Sequence, residues 1–176
     1  MTDTMDTMRR IVATAVAALL ALTLGGCTMQ TDSKLDDFRV EAERLTDDLT
    51  AQIAADAIDE IVGTESQARY GDTNSAEQKP TDPAWWQVYR TINLVSEPDA
   101  SATAASAISD HLAADGWTEE RVRETEEGRR IADGFRKDTD DGQWYIEVTW
   151  VTTAPEMAET IELTVVSPET VRGDAD

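Results

Sequence analysis

"DTDDGQWYIEVTWV", residues Asp138 to Val151, decides the architecture. Trp144, Ile146, Val148 and Trp150 alternate with Tyr145, Glu147, Thr149 and Val151. A period of two puts the apolar set on one face of a β-strand, here spanning Gln143 to Thr152. The Asp- and Gly-rich run before it, residues 138 to 142, is a hairpin signal. A strand entered through a tight turn pairs antiparallel with the segment before it, so the sheet is expected to be antiparallel.

Two weaker strands precede this hairpin, Arg130 to Lys137 and Glu120 to Thr125, joined by a turn at Glu127-Gly128. After it, Pro155-Glu156 marks a turn. Thr160 to Ser167 is a strand with Ile161, Leu163 and Val165 facing inward, and Pro168 stops it. A tail is expected from residue 171. Upstream, "WWQVYRTINLV", Trp85 to Val95, is rich in aromatic and β-branched residues and reads as a strand. Trp86, Val88, Arg90, Ile92 and Leu94 form its more apolar, core-facing side. Trp85, Gln87, Tyr89, Thr91, Asn93 and Val95 form the other side. Glu97-Pro98-Asp99 ends the strand and caps a helix from about Ser101 to Ala114, whose apolar face is Ala104, Ala105, Ile108 and Leu112.

Between Lys34 and Val62 the period is helical. Leu35, Phe38, Ala42, Leu45, Leu49, Ile53, Ala57 and Ile61 recur every three or four residues, with Ser33 as N-cap and Gly63 as stop. One long amphipathic helix is expected, packed on its own sheet or on a partner. Residues 64 to 84, with Gly71, Pro80 and Pro83, read as a long loop. The predicted fold is α+β: a mostly antiparallel sheet of about four strands with two helices packed on one face, in the order α-β-α-β-β-β-β.

The N-terminus reads as an export and anchoring signal. Arg9 and Arg10 precede Ile11 to Leu24, 14 residues without charge. At ~1.5 Å per residue this run is about 21 Å of helix, short of a ~30 Å hydrocarbon core and the right size for a signal-peptide apolar region. Asp3 and Asp6 suit a cationic leader poorly, so the reading favours Met8 as the start. Leu24-Gly25-Gly26-Cys27 follows and resembles a bacterial lipobox. The resemblance implies a diacylglyceryl thioether on Cys27 and cleavage between Gly26 and Cys27. Cys27 is the only cysteine, so no disulfide framework competes for it. Two acyl chains anchor firmly where one binds marginally. The expected division is a signal peptide over 1–26, a lipidated tether over 27–33, one domain over 34–170 and a tail over 171–176.

Composition narrows the function classes. The chain carries a formal net charge of −21, and all of it falls after residue 26 because Arg9 and Arg10 offset Asp3 and Asp6. Phosphate recognition needs clustered Lys and Arg, so nucleic acid is excluded as a partner. Anionic head groups repel the domain. No cofactor or metal is expected. An EF-hand frame with Gly142 at its sixth position puts Lys137 first and Val148 twelfth, which fails. One histidine, His111, and no spare cysteine supply a zinc site poorly. No nucleophile motif accompanies His111, so no catalytic residue is assigned.

The segments "HLAADGW" (111–117), "WYIEVTWV" (144–151) and "IELTVVSP" (161–168) are similar to small actinobacterial cell-envelope lipoproteins of the LppA-like group. The resemblance implies an envelope location and an α+β sandwich and brings no catalytic residues. Relatives carry a cysteine after the final Ser-Pro where this chain has Glu169, so their disulfide is absent here. The leading expectation is a non-catalytic lipoprotein at the outer face of the cell membrane, binding an envelope protein or cell-wall polymer. Trp85 and Tyr89, on the second strand face, are the candidate contacts. The alternatives are a peptidoglycan-acting enzyme or accessory using the carboxylates Glu147 and Glu162, and a structural spacer.

Overall fold

A computed structural model describes residues 32–71, 78–125, 128–152 and 158–174. The elements run α1 (Leu35–Thr50), β1 (Ile58–Tyr70), β2 (Pro83–Leu94), α2 (Ala100–Ala114), β3 (Thr118–Glu124), β4 (Arg130–Thr139), β5 (Gly142–Val151), β6 (Thr160–Val166) and β7 (Thr170–Val171). The strands form one seven-stranded antiparallel sheet in the order β1-β2-β6-β5-β4-β3, with β7 pairing β2 beyond the end of β6. β1 and β2 pair at one edge. α2 carries the chain to the opposite edge, and β3 to β6 then step back strand by strand until β6 meets β2.

Both helices lie on one face. Phe38, Ala42, Leu45 and Leu49 of α1 and Ala104, Ala105, Ile108 and Leu112 of α2 share one buried cluster with Val88, Ile92, Ile146, Val148, Ile161, Leu163 and Val165 of the sheet. The period-two pattern of β2, β5 and β6 thus supplies the floor of the core and the helical period supplies its roof. Trp144 belongs to that cluster and meets Phe38 edge-to-face at 5.7 Å between centroids. Trp150 packs at its margin. The hairpin expected at residues 138 to 142 is present as a two-residue loop, Asp140-Asp141, between Thr139 and Gly142, and Gly142 takes the positive φ of 121° there.

The sheet is larger than the four or so strands expected: the helix read over residues 34–62 ends at Thr50, which leaves residues 58–70 to form β1, and residues 170–171 add β7. Arg90 explains the stop. Its guanidinium is largely buried on the helix face of β2. It pairs with Asp47 at 2.9 Å and donates to the carbonyl of Thr46 at 3.5 Å and to the hydroxyl of Thr50 at 2.9 Å. A cation there complements the negative end of the helix dipole, and Nε donates to Thr64 of β1 at 2.9 Å, tying the next strand to the same charge. The α1 stripe packs on its own sheet, against β2 and β6. Ile53 still enters the core from the turn after α1, and Ile58, Ile61 and Val62 belong to β1. Their helical spacing is coincidental, and their β-branched side chains suit a strand. Gly63, expected to end a helix, follows the second of two register irregularities in β1. The loop expected over 64–84 is therefore strand to Tyr70 and from Pro83.

Two caps differ from expectation. Lys34 is the N-cap of α1, while the Ser33 hydroxyl accepts from the Leu35 N–H at 3.3 Å and donates to the Val171 carbonyl at 2.8 Å. Asp99, at φ 62°, makes no side-chain cap on α2. That role falls to the buried Glu159, whose Oε2 accepts from both the backbone N–H and the hydroxyl of Ser101 at 2.7 Å. A carboxylate meeting a helix N-terminus satisfies orphan donors and the dipole together. The chain does not turn into a tail at residue 171: Val171 lies in β7, and the N–H groups of Arg172 and Gly173 donate to Asp82 and Pro80.

Candidate functional site

Directly paired residues of an antiparallel sheet point to the same side, so the register defines a second face. Among the described residues no helix covers it. Gln87 opposes Gln67 on β1 and Val166 on β6, and Val166 opposes Tyr145 on β5, which opposes Arg136 on β4. The next row is Glu65, Tyr89, Thr164, Glu147, Gly134 and Glu120. The row after that holds Thr91, Glu162, Thr149 and Ala132.

Trp85 and Tyr89 stand on this helix-free face, both half-buried, with Gln87 between them and with Arg69 and Glu65 directly opposite on β1. Trp86, their neighbour in sequence, points the other way. It packs at the margin of the core, and its indole N–H donates to Ser66 at 2.8 Å. The alternation of β2 thus sends the two adjacent tryptophans to opposite faces, Trp86 to the margin of the core and Trp85 to the helix-free side.

The carboxylates Glu147 and Glu162 share this face on adjacent strands, and each has a local partner. The Tyr145 hydroxyl donates to Glu147 Oε2 at 2.9 Å. Arg130 donates to Glu162 Oε2 at 2.6 Å. Gly134 makes the first contact geometrically available. A Cβ at that position would lie 2.9 Å from the Tyr145 ring and hydroxyl and 2.8 Å from Val122, so only glycine lets the phenol lie across β4. Burial and the adjacent Glu147 push the Tyr145 hydroxyl up to about 12. Arg136 sits 4.7 Å above the same ring.

A depression of about 230 Å³ lies on the helix side between α2 and β3 to β5. Asp133, Arg121 and Trp150 line it beside Ser106 and Ser109. Asp133 is 6% exposed. Burial pushes its carboxyl above the usual range, against the opposing pull of Arg121. Arg121 Nε lies against Asp133 Oδ1, and its guanidinium stacks 5.6 Å over Trp150. This cluster was not foreseen. Its one sequence signal is Asp133, an acid at an inward position of β4 between Ile131 and Phe135.

His111 reaches Asp48 of α1 at 2.9 Å and joins the two helices. Among the described residues no three metal-ligating side chains converge, and no helix is long and apolar enough to cross a membrane. Gly26 and Cys27, the expected cleavage and lipidation positions, lie outside the described residues. No family model, curated protein or solved structure matches the chain.

Proposed function

We propose that this chain is an extracytoplasmic lipoprotein held to a bacterial cell membrane through Cys27, and that its helix-free sheet face binds an envelope polymer or protein without transforming it. The anchor reading rests on the cationic leader, the uncharged run of residues 11–24 and the Leu24-Gly25-Gly26-Cys27 sequence. It accounts for a lone cysteine in a chain with no disulfide framework.

The binding reading is carried by one observation: Trp85 and Tyr89 stand on the sheet face away from the helices, four residues apart on one strand. At ~3.3 Å per residue their Cα atoms are about 13 Å apart along the strand. That spacing suits successive units of an extended chain better than one small molecule. Rigid aromatic side chains give contact area at little entropic cost, and Gln87, Gln67 and Arg69 beside them supply donors that orient a ligand. Glu147 and Glu162 accept hydrogen bonds from Tyr145 and Arg130, which supports a recognition surface more than an acid–base pair.

Two measurements test this. Mass spectrometry of the membrane fraction is expected to find an N-terminal Cys27 bearing a diacylglyceryl thioether; a bare thiol in cytosolic protein overturns the anchor. A photoreactive side chain at position 85, irradiated in intact cells, is expected to give an envelope adduct that the same group at the exposed Asp37 of α1 does not. Equal labelling from both positions overturns the binding face.

A further inference from the structure

The two edges of the sheet are protected unequally. β3 is seven residues long, and its register with β4 breaks between Arg121 and Arg123. β1 is 13 residues long; both of its irregularities fall before Gly63, and from Gly63 to Tyr70 it runs in unbroken register with β2. Among the described residues nothing pairs with the outer edge of β1. Short, bulged edges discourage further pairing, and a long regular edge is a template for another strand.

The charges on that regular stretch are self-complementary. Glu65, Gln67 and Arg69 share the helix-free face. Glu65 takes a hydrogen bond from the Gln67 amide at 3.3 Å, and Arg69 donates to Gln87 at 3.2 Å. Among the described residues neither charge has an opposite charge bonded to it. Counted from Gln67, a negative charge lies two residues before and a positive charge two residues after. Two copies of β1 running antiparallel about a two-fold axis at Gln67 set Glu65 opposite Arg69 of the second copy twice over, with the two Gln67 side chains between. Parallel pairing in the same register sets Glu65 against Glu65.

We propose that β1 pairs with β1 of a second copy, through Gly63 to Tyr70, to form one continuous sheet. Such an interface is isologous, as closed dimers require. The axis is perpendicular to the sheet, so the helix-free faces of both copies lie on one side. Trp85 and Tyr89 of the two copies then border a single surface, and a repetitive polymer meets two sites in one assembly. The pairing stands on the edge and its charges, independently of what that surface binds.

The test is oxidative crosslinking of the full chain in intact cells, read on non-reducing gels. Directly opposed antiparallel residues have Cα atoms ~4.5–5.5 Å apart, within disulfide reach. Gln67→Cys is expected to give a linked dimer as the main species, above the baseline of the parent chain, whose only cysteine is Cys27. Glu120→Cys on the β3 edge is expected to stay at baseline. Adding Glu65→Lys to Gln67→Cys turns two attractions into repulsions and is expected to lower the yield about tenfold. Adding Arg69→Glu as well restores opposite charges and is expected to recover it. A Gln67→Cys yield no higher than that of Glu120→Cys, or a double reversal that stays low, overturns the pairing. Loss of the diacylglyceryl group on Cys27 bears on the anchor alone.

Discussion

The two faces of this sheet are made by alternate residues of the same strands, yet they are built on different terms. On the helix side Val88, Ile92, Ile146, Ile161 and Leu163 are sealed from solvent by α1 and α2. On the other side Gln87, Tyr89, Glu147, Glu162 and Thr164 remain partly accessible. Burial of apolar area drives folding, so stability belongs to the first set and the second set is free to serve recognition. Ala132, Gly134 and Thr149 mark where the helix-free face is closely packed, Gly134 under Tyr145 and Val122.

That contrast can be broken by substitution on either side. The largest effect is expected from the core: Ile146→Ala removes a fully buried side chain beneath the helices and costs about 3–4 kcal/mol in denaturant unfolding. Next, Glu159→Ala leaves the Ser101 N–H and hydroxyl without their acceptor in a buried site and costs about 2 kcal/mol, while Glu159→Gln, which keeps one acceptor oxygen, costs less. Gly134→Ala carries the contrast to the open face. Its methyl group displaces Tyr145 from Glu147, with a loss of about 1–2 kcal/mol and an enhanced, earlier tyrosine titration. The smallest effect is expected from Trp85→Ala with Tyr89→Ala, each within about 0.5–1 kcal/mol of the parent because neither side chain belongs to the core. A collapse of the fold in this last variant would erase the distinction between the faces.

The pH dependence sharpens the same point. The Tyr145 hydroxyl is raised from 10.0 to about 12 in the folded chain. Its neutral form is favoured by folding, so that stabilisation is intact below pH ~10 and is lost as pH rises through about 12. Ultraviolet titration is expected to show a late phenolate component that Tyr145→Phe removes. A curve left unchanged by Tyr145→Phe above pH ~11 contradicts the Tyr145–Glu147 contact.

β5 and β6 were legible because their apolar residues alternate over uninterrupted runs, and a core face then follows from the pleat. β3, with Val122 as its one apolar residue, and β4, whose inward row holds Asp133, were marked mainly by the turns beside them. The separation of Trp85 from Trp86 came from the same parity. β1 was not legible. Its apolar residues, Ile58, Ile61 and Val62, are few, and their spacing continues the period of α1. The end of α1 is decided by Arg90, 40 residues beyond Thr50, and no local pattern encodes a long-range contact. Glu159 was missed for the same reason, since its helix lies 58 residues away in sequence. The short β7 depends on pairing with β2 and carries too few residues to show a period.

The most direct test of the account is sedimentation of the protein with isolated envelope material from its host, comparing the parent with the Trp85→Ala, Tyr89→Ala double variant. The double variant is expected to show at least a tenfold drop in bound protein at an unchanged unfolding midpoint. Equal binding by the two proteins at equal stability would contradict it.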